Sequence, residues 1–293
     1  MNISKTFFLL VVLILLCSSS LKAQSNHNEA AFFNIGIGSV FSGIGAIINK
    51  KPQERLGKVL LKGMAQGALG GYLVYESKII AGRIAKEENL TYGWPAKFVN
   101  SAGTSIIENA ASNRNFWEQW NLNIGFNRIE FHTKDRFQVK YRIQPVSFLL
   151  TTYTAFQNKW EPDLSLRVGE FVFSGNSFYR SEENSYLGAA IGTSILLNPE
   201  TGGFNYGTVA HEMVHVFQYH DFNVLNTYSN KPLRKLKEGS GFFRIMDKIF
   251  HYDFNVFIFA GLYKMEHFGK NRQTFEGYYS NYFEREAYFF SDY

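Results

Sequence analysis

The sequence predicts an α+β protein, and three observations along the chain lead to that class. Two glycine-rich apolar stretches between residues 31 and 80 are typical of a hairpin of closely packed helices. Apolar and polar residues then alternate in several short segments of residues 121–197, which predicts an antiparallel β-meander. A predicted helix at residues 206–219, which carries two histidines, and further helices after it complete the architecture.

Composition and charge narrow the classes of function. The 293 residues are 45% hydrophobic and 17% aromatic, enough to bury a sizeable core, and the 19% charged content is too low for a disordered chain. The formal net charge of +5 is mild and no block of basic residues stands out, so we expect no nucleic-acid partner. At most, this charge favours contact with anionic envelope surfaces.

The first 23 residues have the layout of a secretory signal peptide. Lys5 supplies the positive charge, residues 7–16 form an apolar run, and Ala23 closes an imperfect cleavage site. A retained N-terminal anchor is the alternative, although the run is shorter than the roughly 20 residues of a spanning helix. Cys17 is the only cysteine, so cleavage after Ala23 leaves no thiolate for a metal site. We therefore expect an exported protein, in the periplasm, at the envelope or secreted, whose metal ligands are His, Asp or Glu.

Residues 24–118 form the predicted glycine-rich helical region. Its hairpin pairs residues 31–48, which carry no charge, with residues 57–80, and a Lys-Lys-Pro turn separates the two. Small residues four apart allow close helix approach and are common in membrane pairs, so membrane association of residues 31–80 is one interpretation. The other is a pair of tightly packed helices in a soluble fold. Four charged residues in the second stretch argue against full insertion: Lys58, Lys62, Glu76 and Lys78.

The predicted sheet at residues 121–197 leads directly into the helix with the two histidines. Alternation assigns residues 164–173 to strands of this sheet. Residues 194–199 form a short apolar strand stopped by proline, and we expect it to be an edge strand that can pair with an extended substrate. Asn205 follows, and its side chain is suited to cap the next helix.

A His-Glu-x-x-His pattern lies in the predicted helix. Residues four apart share a face of a helix, so His211 and His215 can present two imidazoles to one metal ion. Glu212 lies one step round the helix, within reach of a water molecule at the metal. Apart from the motif itself, residues 208–217 carry no charge, which suits a buried dication. The pattern therefore predicts a Zn²⁺ site in which Glu212 is the general base.

Residues 205–220 resemble the active-site segment of the zincin metallopeptidases. The resemblance implies that His211 and His215 bind Zn²⁺, that Glu212 is the catalytic base, and that residues 119–293 form a zincin-like metallohydrolase domain. The metzincin branch does not fit, because glutamine and aspartate stand where that branch needs a glycine and a histidine.

The gluzincin branch implies a third ligand from a glutamate on a later helix, and residues 278–290 resemble that segment. A Glu-x-x-Ala pattern indicates Glu284, whereas a Glu-Ala pattern indicates Glu286. We take Glu284 as the third ligand and keep Glu286 as the alternative. The distance along the chain from His215 implies a long insertion between the two parts of the site. The segment also holds candidates for stabilising an oxyanion: Tyr278, Tyr279, Tyr282 and Tyr288.

Three functions follow from these expectations. The leading one is an exported zinc-dependent metallohydrolase, a gluzincin-like peptidase that acts on peptides or proteins through a zinc-bound water activated by Glu212. A zinc amidase acting on a non-peptide or cell-wall amide would use the same residues. The rival outside the enzymes is an envelope protein whose metal site is structural or vestigial. Four protein ligands close a structural site, whereas a catalytic site keeps one position open.

Overall fold

A computed structural model of the chain describes residues 27–177, 187–201, 204–268 and 281–291. Within these ranges the fold is α+β, as the sequence predicts. Long helices come first, two sheets follow, and helices return before the C-terminus. The predicted signal peptide at residues 1–23 lies outside the described residues.

Two long helices form the N-terminal hairpin: α1, His27–Ile48, and α2, Leu56–Lys86. Glycines allow their close contact, since a Cβ atom on Gly67 would lie only 2.2 Å from the carbonyl oxygen of Gly38. Favourable van der Waals packing along this seam offsets the low helix propensity of glycine. Among the described residues, α1 is the helix long and apolar enough to cross a membrane or act as a signal sequence, by length and composition, and 39% of its most apolar window is buried.

The first sheet is the predicted antiparallel meander. Its strands are β1, Gln119–Ile124, β2, Asn127–His132, and β3, Gln138–Ile143, which pair in sequence order. One further isolated bridge joins Ile143 to Phe250. A helix before it, α3, Gly93–Ala111, packs against α2. Gly125 makes the tight β1–β2 turn with a positive φ of 55°, a conformation that glycine adopts without strain.

The meander does not continue to residue 197 as expected. Two helices interrupt it, α4, Pro145–Gln157, and α5, Pro162–Val168, so the assignment of residues 164–168 to a strand is wrong. Proline in the first turn and Gly169 in the left-handed conformation beyond the last turn favour a short helix here. The apolar alternation was misleading because Leu166 is 71% exposed and has no sheet face to bury.

A second sheet of mixed direction carries the remaining strands. They are β4, Lys159–Trp160, β5, Phe171–Ser174, β6, Gly188–Ile191, and β7, Ser194–Leu197, in the spatial order β4-β5-β7-β6. β7 pairs parallel to β5 and antiparallel to β6, so it lies inside the sheet and all four of its residues are buried. The expectation of an edge strand at residues 194–199 is therefore wrong. β6 forms the edge instead, because it pairs with β7 on the side that faces away from β5.

The helix with the two histidines, α6, Tyr206–Asp221, begins as predicted, because the Asn205 side chain accepts a hydrogen bond of 2.7 Å from the Gly207 N–H. Its apolar face shares one core with the N-terminal hairpin and the second sheet. Buried members of that core include Tyr75, Ile84, Ile195, Val209, Met213 and Phe217. The last helices are α7, Asn230–Gly239, α8, Gly241–Ile249, α9, Asn255–Phe268, and α10, Tyr282–Ser291.

Candidate metal centre

Three predicted ligand residues meet between α6 and α10. The Nε2 atoms of His211 and His215 lie 3.1 Å apart, as the spacing of four residues on one helix face requires. Glu284 comes from α10, and its Oε2 atom lies 3.3 Å from His211 Nε2 and 3.4 Å from His215 Nε2. All three residues are buried, and their potential ligand atoms form one compact group.

The spacing of these atoms fits a tetrahedral zinc ion. Zn–N and Zn–O bonds of about 2.0–2.2 Å place neighbouring ligand atoms of a tetrahedron about 3.3 Å apart. The three separations of 3.1, 3.3 and 3.4 Å match that edge length. Within the described residues the group holds three ligands and no fourth, which is the count of zinc sites that keep one open position.

The charges in this group favour a bound cation. Burial opposes ionisation of Glu284, yet His215 and His211 hold the pKa of its carboxyl group well below the ordinary value. In turn, Glu284 overcomes the effect of burial on His215 and raises the pKa of its imidazole to about 9. A positive charge is thus stabilised at the point where the three side chains meet, whether a proton or a metal ion supplies it.

Glu212 lies beside the group and under the edge strand of the second sheet. It is buried, and burial raises the pKa of its carboxyl group above the ordinary value. The backbone N–H of Ala190 in β6 is within hydrogen-bonding contact of its carboxylate. The strand passes so closely that a Cβ atom on Gly188 would lie 3.0 Å from Glu212 Oε1. The outer side of the edge strand β6 therefore runs directly past the predicted base.

Glu286, the alternative third ligand, has other partners. Its carboxylate accepts hydrogen bonds from Asn34 Nδ2 at 2.8 Å, Gln218 Nε2 at 2.9 Å and Lys78 Nζ at 3.0 Å. Side chains two residues apart on α10 project about 200° apart, so Glu284 and Glu286 cannot face the same point. The structure brings Glu284 to the histidines and leaves Glu286 in a separate polar network.

That network orients one of the ligands. Gln218 donates its Nε2 hydrogens to Glu286 and to the Phe283 carbonyl oxygen at 2.9 Å, so its Oε1 atom is left to accept a bond from His215 Nδ1 at 2.8 Å. With the proton on Nδ1, the lone pair of His215 Nε2 points at the ligand group. Gln218 occupies one of the positions that excluded the metzincin branch, and its orienting role was not predicted.

Lys78 anchors the network from the N-terminal hairpin. Its side chain is buried, and Nζ lies 2.7 Å from Asp221 Oδ2 and 3.0 Å from Glu286 Oε2. From the sequence, the charge of Lys78 indicated only that full membrane insertion is unfavourable. The sequence also held an indication that Lys78 is buried, since it lies seven residues after Gly71, on the same small-residue face of α2 that packs inward.

Several other polar side chains around the site take places that the sequence did not predict. Tyr263, which no sequence pattern indicated as part of the site, donates a hydrogen bond to Glu284 Oε1. The centre of the Tyr288 ring lies 4.3 Å from the centre of the His211 ring. Tyr282 contacts Glu286, while residues 278 and 279 lie outside the described ranges. His220 is only 4% exposed, and its Nε2 atom lies 3.9 Å from Glu170, away from the ligand group.

Comparisons with protein families, with curated proteins and with solved structures find no match to this chain. Its function is therefore inferred from the arrangement of its own residues.

Proposed function

We propose that this chain is an exported zinc-dependent metallohydrolase, a peptidase of gluzincin type. The observation that carries the proposal is the triangle of ligand atoms from His211, His215 and Glu284, whose sides of 3.1–3.4 Å suit one tetrahedral ion. The nearby carboxylate of Glu212 adds the second part that hydrolysis requires.

The three ligand residues would hold Zn²⁺, which supplies Lewis-acid polarisation of the scissile carbonyl and acidifies water. Glu212 accepts a proton from the attacking water as the water oxygen bonds to the carbonyl carbon. The C–N bond then breaks, and Glu212 returns the proton to the leaving amine nitrogen. The pKa of Glu212, raised by burial, suits a group that must both accept and release a proton.

The edge of β6 supports an extended peptide as substrate. A peptide backbone that pairs with this strand would be held beside Glu212, because Gly188 and Ala190 of the strand contact that side chain. A cell-wall amide is the alternative substrate, since the same residues could hydrolyse it.

The test combines zinc content with turnover. We expect the purified protein to contain one zinc ion per chain by mass spectrometry and to cleave members of a fluorogenic peptide library. Glu212→Gln should keep the zinc and lower kcat by about 10²–10⁴, the usual contribution of a general base. Turnover at the wild-type rate in this variant would contradict the mechanism, and a wild-type protein that cannot be loaded with zinc would contradict the site.

A structural metal centre is the second candidate, and the burial of the ligands favours it. The side chains of His211, His215 and Glu284 are 10%, 8% and 2% exposed. Cobalt-substituted protein distinguishes the two functions. A change in its visible spectrum on adding acetohydroxamate would show an open coordination position, whereas an unchanged spectrum would favour the structural centre.

A further inference from the structure

The helices α7 and α8 form an unusual surface, because neither helix buries a residue. Residues 230–249 contain six lysines and arginines against two acidic residues, an excess of four positive charges, while the whole chain carries only +5. The excess is spread over two helices, so it does not appear as a basic block in the sequence. This short hairpin therefore holds almost all of the net charge of the protein.

Most of these cations have no carboxylate partner within the described residues. Lys237 pairs with Asp247 at 3.1 Å and Arg234 lies 3.9 Å from Glu238. The other four cations, which make no ion pair with a described acidic residue, are Lys231, Lys235, Arg244 and Lys248. Lys231 Nζ donates a hydrogen bond of 3.0 Å to the Lys50 carbonyl oxygen, whereas Lys235, Arg244 and Lys248 are exposed. The charge of these three side chains is available to an external anionic partner.

Large apolar side chains share the same surface. On α8, Phe242, Ile245 and Ile249 are 64%, 59% and 44% exposed. The helical rotation of 100° per residue places all three within an arc of about 60° and puts Arg244 and Lys248 on the adjacent face. Four more apolar residues of this segment are exposed: Leu236, Phe254, Phe257 and Ile258.

Exposed phenylalanine and isoleucine beside unpaired lysine and arginine is the pattern of helices that lie in a membrane interface. The apolar side chains enter the boundary between headgroups and acyl chains, and the cations contact anionic headgroups. Nucleic acid would be attracted by the charge, but it offers no partner for the exposed isoleucine side chains. We propose that residues 230–258 dock this protein on the surface of an anionic lipid bilayer.

This surface differs from the region that the sequence suggested for membrane contact. Residues 31–80 pack their glycine faces against each other, and their cationic Lys78 is buried inside the protein. Docking through residues 230–258 does not depend on zinc or on peptidase activity, so it can fail or succeed independently of the proposed function.

The experiment measures co-sedimentation of the protein, purified from cells that express the full chain, with sucrose-loaded vesicles. We expect binding to vesicles of phosphatidylglycerol and phosphatidylcholine to be at least tenfold tighter than to phosphatidylcholine alone, and to weaken as salt is raised. Replacing Lys235, Arg244 and Lys248 by glutamine should weaken it about a hundredfold.

Two further variants identify the surface. Phe242→Ser with Ile245→Ser and Ile249→Ser should lower binding at least tenfold. The matched control replaces exposed apolar residues of the N-terminal hairpin, Phe32→Ser with Leu61→Ser and Leu69→Ser, which are 75%, 69% and 48% exposed in the wild type, and should bind as wild type does. Circular dichroism confirms that each variant is folded.

Three outcomes would overturn the proposal. The first is wild-type binding by the glutamine and serine variants of residues 230–258. The second is loss of binding only in the control variant, which would return the membrane contact to residues 31–80. The third is binding to a DNA duplex without binding to anionic vesicles.

Discussion

Two of the clusters of buried charged side chains are compensated in different ways. In the arginine cluster, defined by Glu108, Arg128, Glu130 and Arg142, Arg128 lies 2.6 Å from Glu108 and 2.8 Å from Glu130, and Arg142 lies 2.5 Å from Glu130. Two guanidinium groups thus balance two carboxylates. Although burial alone would have the opposite effect on each group, these contacts raise the pKa of Arg128 and lower that of Glu130.

The candidate metal centre lacks such a balance. Glu212 and Glu284 are both buried, and no lysine or arginine pairs with either carboxylate among the described residues. With neutral histidines and both carboxylates ionised, the group carries two negative charges, which a divalent cation would neutralise. Without a metal ion, a proton on His215, whose pKa is raised to about 9, offsets one of them. The comparison teaches that a buried cluster whose carboxylates are paired with lysine or arginine stabilises the fold, whereas buried carboxylates without such a partner beside two histidines indicate a site for a cation.

The largest effect that tests this comparison concerns the third ligand. We expect Glu284→Gln to weaken the affinity for zinc by more than the roughly 10–100-fold that is typical of removing a residue that only orients a ligand. Glu286→Gln is the matched control on the same helix and should keep one zinc per chain, because its carboxylate bonds Lys78 and Gln218 instead. Zinc loss in Glu286→Gln alone, measured by mass spectrometry, would reverse the assignment.

The arginine cluster should behave in the opposite way. Arg128→Met leaves two buried carboxylates without their shared guanidinium, so we expect the free energy of unfolding to fall by about 3–5 kcal/mol in urea titrations. The zinc content of the protein that remains folded should be unchanged. Lys134→Met is the control, because that lysine is 56% exposed where it pairs with Glu118 and should contribute less than about 1 kcal/mol. If both variants lost the same free energy of unfolding, the role of Arg128 in balancing the two buried carboxylates would be contradicted.

A smaller effect separates the ligands from the groups that orient them. Gln218→Ala removes the acceptor 2.8 Å from His215 Nδ1, and we expect zinc affinity to fall about 10–100-fold, measured by competition with a chelating dye. Ser291→Ala removes a longer contact of 3.4 Å to His211 Nδ1 and should have a weaker effect. If the serine variant were the weaker zinc binder of the two, the orienting role of Gln218 would be refuted.

The smallest predicted effect is a pH dependence near the arginine cluster. Burial, together with the positive charges of Lys97 and Arg128, lowers the pKa of His220 to about 3, whereas the unfolded chain has an ordinary histidine pKa of about 6.5. Below pH 6.5 the unfolded state therefore binds the extra proton, and stability falls as pH decreases towards 3. As the pH falls from 7 to 5.5, this histidine should lower the free energy of unfolding by about 1 kcal/mol.

His220→Asn should abolish that part of the pH dependence, as seen by urea titration at several pH values. An unchanged slope in the His220 variant would show that the residue does not titrate differently in the folded and unfolded states.

The local chemistry of the site could be predicted from the sequence because it depends on neighbours along one helix. The spacing of His211 and His215 and the cap at Asn205 are properties of consecutive residues, and the structure reproduces each. The α+β class followed from periodicity in the same way. The strand assigned to residues 164–168 failed because a run this short can bury an apolar face in a sheet or leave it exposed on a helix, and periodicity does not distinguish them.

Long-range contacts decided the rest. The sequence left Glu284 and Glu286 as alternatives, and only the packing of α10 on α6 turns Glu284 towards the histidines. Likewise, only the strand order puts β6 at the sheet edge beside Glu212. Only the packing of α10 on α2 brings Lys78 to Glu286, 208 residues away in sequence. The physical reason is that a motif fixes the directions of side chains on one element, whereas the position of a second element depends on which faces it buries, and many distant residues determine that packing.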